Sequence, residues 1–145
     1  MRILLYGGYS VLMEEAVSET RYAFFDMDHT LTRVDTGLRF LRWWCRRHPL
    51  SAWRLLAAPI PLLLWKLHLI RLRRVKEFLF SVLRGRSTAV VDNAAREFVR
   101  QSFVSLAKPE ALVMIAALAG THTLVLASAS PDFYVQHFAA AFGFE

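Results

Sequence analysis

The sequence predicts an α/β fold in which a long all-helical segment separates two strands. Three observations carry this expectation. YAFFDM at 22–27 and TLVLA at 123–127 are short apolar runs with the length and residue types of buried strands. The chain between them repeats its apolar residues at helical spacing and is punctuated by helix caps and prolines. A last helical stretch follows the second strand directly, so the order is strand, helical insertion, helix, strand, helix.

Each element has a local reason. Residues 38–47, LRFLRWWCRR, place apolar side chains at 38, 40, 41, 43 and 44 with arginines between, an amphipathic helix that stops before Pro49. Residues 55–65, LLAAPIPLLLW, are an unbroken apolar run between Arg54 and Lys66. A second amphipathic helix spans about 73–84 and ends at Gly85. Ser87 or Thr88 caps a longer helix to Leu106, with Val90, Val91, Ala94, Phe98 and Val99 facing a core. Pro109 opens the next helix and Gly120 ends it. After the second strand comes SASP, where Ser130 is expected to cap a helix opened by Pro131 and running to about Phe142. RILLYGG near the N-terminus reads as an additional strand, and its GGYS lacks the spacing of a phosphate loop.

Composition limits the function classes. The single cysteine, Cys45, excludes an internal disulfide and a multi-cysteine zinc site, and reads as a small apolar residue in a reducing compartment, the cytoplasm. The N-terminal apolar run is too short, and too soon acidic, for a signal peptide. Apolar residues make up 55% of the chain and mean hydropathy is +0.32, an excess that needs a core, a membrane surface or a partner to receive it. The formal charge of +6 is concentrated: ten lysines and arginines and no acid lie between Asp35 and Glu77, and the remaining chain is net negative. An anionic partner suits that segment, and phospholipid suits it better than nucleic acid, because no nucleic-acid-binding motif accompanies it.

The chemistry centres on FFDMDHTLT, residues 24–32. Asp26 and Asp28 stand one residue apart at the carboxyl end of the first strand, where open α/β sheets place ligands. A bare Asp-x-Asp is more often a turn cap beside a solvated carboxylate. Two such groups can also divide labour, one attacking while the other carries a proton, with a hard cation such as Mg²⁺ offsetting their repulsion.

FFDMDHTLT resembles motif I of the haloacid dehalogenase-like phosphohydrolases, an aromatic-rich strand running into Asp-x-Asp-x-Thr. TLVLAS resembles the family's second strand, with Ser128 at its end, and SASPDFYV resembles its continuation. An interval of 102 residues from Asp26 to Ser128 fits a helical cap inserted after motif I, as in the subfamily containing phosphoserine phosphatases. The resemblance implies a partial Rossmann-like parallel sheet, with core segments 22–34 and 107–145, a cap at 35–106 and an N-terminal extension at 1–21. It implies an Mg²⁺-dependent phosphomonoester hydrolase working through an aspartyl-phosphate. Asp26 would be the nucleophile and a metal ligand. Asp28 would be the general acid/base and would give its carbonyl to the metal. Thr30 would brace the loop, and Ser128 would hydrogen-bond the phosphoryl group. Asp35 stands where phosphoserine phosphatases carry a substrate-holding glutamate, and a solvated loop aspartate explains it equally well. His29 replaces the more usual glycine as tolerated variation.

The family pattern also contains a lysine and further aspartates after the second strand. Only 17 residues follow Ser128, without a lysine, and Lys108 precedes the strand as a poor substitute. The sequence therefore reads as C-terminally truncated, with negligible phosphatase activity expected of it alone.

Within the basic segment, residues 39–76, the stretch around 50–72 is open to two readings. One is a cap hairpin with its apolar run buried and its arginines solvated. The other is an element touching an anionic membrane at the inner face, suited by Trp43, Trp44, Trp53 and Trp65 among the arginines. FLRWWCRRHPLSAWRLLAAPIPLLLW also resembles the cap of phosphatidylglycerophosphatase C-type members, which implies a lipid-phosphate substrate. A non-catalytic remnant that binds a membrane or a partner is the remaining alternative.

Overall fold

The computed structural model describes residues 21–144. The expected N-terminal extension, with its RILLYGG strand, lies outside the described residues except for Arg21.

Strand β1 (Tyr22–Asp26) pairs in parallel with β2 (Thr123–Ala127), in a register that sets Tyr22 beside Thr123 and Asp26 beside Ala127. Parallel pairing needs a crossover, and the helices between the strands supply it. Both strands therefore end at the same edge, with Asp26 and Ser128 at their carboxyl ends. The expectation that both strands are buried is corrected: no residue of β2 is fully buried, and β1 is buried at one position. Phe25 is buried, but Tyr22 and Phe24 face solvent, Phe24 at 71% exposure. Alternate side chains of a strand point to opposite faces, and among the described residues only one face of this pair is covered.

The insertion contains α1 (Thr36–Arg47), α2 (Pro49–Ala52), a 3₁₀ turn (Trp53–Ala57), α3 (Pro59–Lys66), α4 (Leu72–Phe80) and α5 (Thr88–Leu106). Then α6 (Pro109–Leu118) precedes β2, and α7 (Asp132–Phe142) follows it. Helix α1 starts two residues earlier than its apolar pattern, because the Asp35 carboxylate accepts the Leu38 N–H at 2.8 Å and caps it. Ser87 caps α5 as expected, its hydroxyl accepting from Val90 N. The buried face of α5 is Val91, Ala95, Phe98, Val99 and Leu106, and Val90 is exposed. Gly143, at φ +83°, closes α7 in the left-handed conformation that lets Phe144 N–H reach back to Ala139 O.

One hydrophobic cluster joins the strands to the insertion. Phe40 of α1 stacks on Tyr134 of α7 with centroids 5.8 Å apart and meets Phe98 of α5 edge-on at 5.5 Å. Phe138 and Phe142 extend the cluster along α7, and Phe25 meets Phe144 edge-on at 5.6 Å. Where the chain leaves and re-enters the strand region, two segments pair: Arg33 N–H donates to Leu106 O and Lys108 N–H to Leu31 O, each at 2.9 Å. This pairing carries the insertion directly off the end of β1.

The apolar run at 55–65 is not buried. No residue of α2, the 3₁₀ turn or α3 is fully buried, and of their apolar side chains Leu55 packs half-buried against the core. The reading of this run as the buried side of a hairpin is therefore corrected: α3 lies along α4, but most of its apolar side chains stay exposed. Cys45 is half-buried, and burial pushes its thiol up from the ordinary range, so it is a poor thiolate at neutral pH.

Candidate active site at the strand ends

Beyond Asp26 the chain turns sharply through Met27–Leu31, closed by Thr32 N–H donating to Met27 O at 3.0 Å. Met27 and Leu31 point into the core, which fixes the turn from below and leaves the residues between them at the surface. His29 stands at φ +62°, in the left-handed region. That explains why glycine would suit this position and why histidine is accommodated: its side chain is exposed, and only the backbone cost remains. The Lys108 ammonium donates to the His29 carbonyl and holds the turn from the segment that enters α6.

The two aspartates have different surroundings. Asp26 is exposed, and Thr30 Oγ1 donates to its Oδ2 at 3.2 Å. Its Oδ1 accepts no hydrogen bond among the described residues. Asp28 is half-buried and holds three donors. Thr36 gives Oδ1 both its backbone N–H at 2.8 Å and its hydroxyl at 2.6 Å, and the Ser130 hydroxyl donates to Oδ2 at 2.9 Å. Asp28 is thus tied to the first turn of α1 and to the loop before α7 at once.

Ser128 lies one residue past Ala127, the neighbour of Asp26, and its Oγ accepts from Ser130 N at 3.2 Å. The geometry brings Asp26, Asp28, Thr30 and Ser128 to one edge of the sheet. Asp35 is the cap of α1, a structural duty that uses its Oδ1. The expectation that Ser130 caps the last helix is corrected: Pro131 holds the cap position without a side-chain bond, and the Ser130 hydroxyl goes to Asp28 instead.

Thr36, Ser130 and Tyr134 are the site residues that sequence reasoning passed over. Tyr134 is fully buried, and its hydroxyl has no partner in hydrogen-bond geometry among the described residues. Burial pushes its pKa up to about 12, with the charges of Asp28 and Asp35 adding to the rise. The Ser130 and Thr36 hydroxyls lie close enough to favour the phenolate, but both are turned to Asp28. Gly37 is required here, since a Cβ at this position would meet Tyr134 Oη at 2.9 Å. The only local signal for this cluster was the spacing of small and hydroxyl residues in DTG and SAS, which propensity rules assign to caps.

A cation at this edge would find few protein ligands. Among the described residues no group of three His, Cys, Asp or Glu side chains comes together. Asp26, with a free carboxylate oxygen, and the Asp28 carbonyl are the oxygens available, while the Asp28 carboxylate is occupied by its three donors. A small cavity of about 30 Å³ beside Asp35, Ser130 and Tyr134 has room for a water at most.

Comparison with known proteins agrees with this architecture. In fold, the chain resembles a crystal structure from Bordetella pertussis Tohama I, described as a protein with unknown function, with a TM-score of 0.71 and 23% identity. The match covers 87% of this chain and 58% of that one, so this chain spans little more than half the length of the solved relative. No curated protein matches. The family model for haloacid dehalogenase-like hydrolases matches residues 23–145, which takes in β1 from its second residue, β2, both aspartates and the whole helical insertion, and the chain belongs to that family.

Proposed function

We propose that the strand-end edge is the nucleophile half of an Mg²⁺-dependent phosphomonoester hydrolase of the phosphoserine phosphatase-like kind. The observation that carries this reading is the contrast between the aspartates: Asp26 is open with a free oxygen, whereas Asp28, two residues on, is held at both oxygens. An open carboxylate suits attack on phosphorus, and a positioned one suits proton transfer. Asp26 attacks phosphorus as the bond to the ester oxygen breaks, and the leaving alkoxide takes a proton that Asp28 has first picked up from solvent. Water, deprotonated by Asp28, then opens the aspartyl-phosphate and releases phosphate. Asp28 must give up at least one of its three donors to take part, and the Ser130 hydroxyl, on a loop, is the freest to move. Thr30 steadies Asp26, and Ser128 bonds the phosphoryl oxygens. Asp35 has its Oδ2 left for a cationic group on the substrate.

When bound, Mg²⁺ would neutralise phosphoryl charge. Asp26 and the Asp28 carbonyl would hold it, with water completing the shell, as Mg²⁺ tolerates. Two protein oxygens make a weak site, and Lys108 is engaged with the His29 carbonyl. Turnover by these residues is therefore slow. The test is to incubate the chain with p-nitrophenyl phosphate or phosphoserine and Mg²⁺, trap the acyl phosphate with borohydride, and locate the reduced residue by mass spectrometry. The label is expected on Asp26 and absent from Asp26→Asn. Label on another residue, or hydrolysis undiminished in Asp26→Asn, would overturn the reading.

A further inference from the structure

We propose that the arm formed by α2, the 3₁₀ turn and α3 is a docking surface for an anionic lipid bilayer. This stands apart from the phosphoryl chemistry and rests on what the arm exposes. Leu50 and Leu56 are 87% and 82% exposed, and Trp53, Ile60, Leu63 and Trp65 are exposed with them. Ile60, Leu62 and Leu63 lie around more than one side of α3, so that helix is apolar nearly all round and still has no buried residue. A helix of that composition belongs in a core or in lipid, and the described residues provide no core for it. Its apolar surface is left open among the described residues.

The charges identify the occupant. No acid lies between Asp35 and Glu77, and Arg46, Lys66 and Arg71 beside the arm make no salt bridge among the described residues. At the foot of the arm a cavity of about 480 Å³ opens between Leu69, Ile70, Arg71, Arg73, Arg74 and Glu77, where Glu77 pairs with Arg73 and Arg74 and Arg71 is the guanidinium left over. A protein partner would leave Arg46, Lys66 and Arg71 unmatched unless it were acidic. A bilayer rich in anionic headgroups matches both parts, taking the leucines and tryptophans below the headgroups and the cations among the phosphates. The geometry is interfacial: α3 has eight residues, and no described helix is long and apolar enough to cross a membrane.

The test uses the whole chain with vesicles of phosphatidylcholine alone or mixed with about one-third phosphatidylglycerol. The expected result is co-sedimentation with the mixed vesicles and a blue shift of tryptophan emission, quenched by brominated acyl chains, because Trp53 and Trp65 enter the bilayer. Binding should fall at least tenfold between about 0.1 and 0.5 M salt. Lys66→Gln and Arg71→Gln should each weaken it about fivefold. Ile60→Asp and Leu63→Asp should abolish it with unchanged circular dichroism, while Val104→Asp, at an exposed apolar position on α5 away from the arm, should bind normally. The proposal is overturned if the chain ignores anionic vesicles, or if the arm's aspartate variants bind as well as the parent. It is overturned equally if those variants instead abolish a concentration-dependent dimer while emission is unmoved by lipid.

Discussion

Replacing Thr36 by valine isolates the contact that orients Asp28. Thr36 is fully buried, and its hydroxyl donates to Asp28 Oδ1 at 2.6 Å beside its own N–H at 2.8 Å. Valine keeps the shape and the backbone donor and removes only the hydroxyl. A hydrogen bond to a charged acceptor contributes about 1.5–3 kcal/mol, and a methyl facing the carboxylate restores none of it. With roughly 2 kcal/mol lost, and a denaturant dependence of about 1–3 kcal/mol per molar urea, the unfolding midpoint should fall by about 1 M. Thr36→Ser, which retains the hydroxyl, should keep most of that stability. A double-mutant cycle with Asp28→Asn separates this pair from general damage to the helix start, and should give a coupling of about 1 kcal/mol or more. A coupling below about 0.5 kcal/mol would show that Thr36 does not hold Asp28, and the division of roles between the aspartates would lose its structural basis.

Tyr134→Phe removes a buried hydroxyl without a partner, so stability near neutral pH should stay level or rise by up to about 1 kcal/mol. Its pKa rises from 10.0 to about 12 on folding, so the unfolded chain releases this proton first. The stability tied to it is complete below pH 10.0 and is lost as pH climbs through about 12. Urea midpoints measured across that window should fall less steeply for Tyr134→Phe than for the parent, and identical slopes would contradict the burial. His29→Gly should fold at least as well as the parent, whereas His29→Val should lose about 1–2 kcal/mol in thermal unfolding, because a β-branched residue resists φ +62°. Gly143→Ala meets no atom within 4 Å, so its cost should be conformational alone, about 1 kcal/mol, read from the same melts. A near-zero change there would mean that the α7 terminus does not need its left-handed cap.

Much of the architecture was legible along the chain. TLVLA forms β2 residue for residue, Ser87 caps α5 and Pro109 opens α6, since each depends on groups within a turn of one another. Asp26, Asp28 and Ser128 could be named from their positions at strand ends, because parallel strands deliver their carboxyl ends to one edge. Ser130 could not. Its local signal is that of a helix cap, and its hydroxyl is drawn to a carboxylate 102 residues away. Asp35 went the other way: a candidate substrate contact in the sequence, it spends one oxygen on the Leu38 N–H of α1.

By itself, then, the sequence determined the order of strands and helices, the caps, the carboxylate pair and the concentration of positive charge in one segment. These follow from contacts short in sequence or from composition. Only the tertiary structure decided which aspartate stays open and which is held, because the donors to Asp28 come from two separate segments that the packing of Phe40 on Tyr134 holds together. It alone decided, too, that most of the apolar residues at 55–65 face outward. Hydrophobicity says that a segment should leave water, and only the surrounding fold says whether there is a core to receive it.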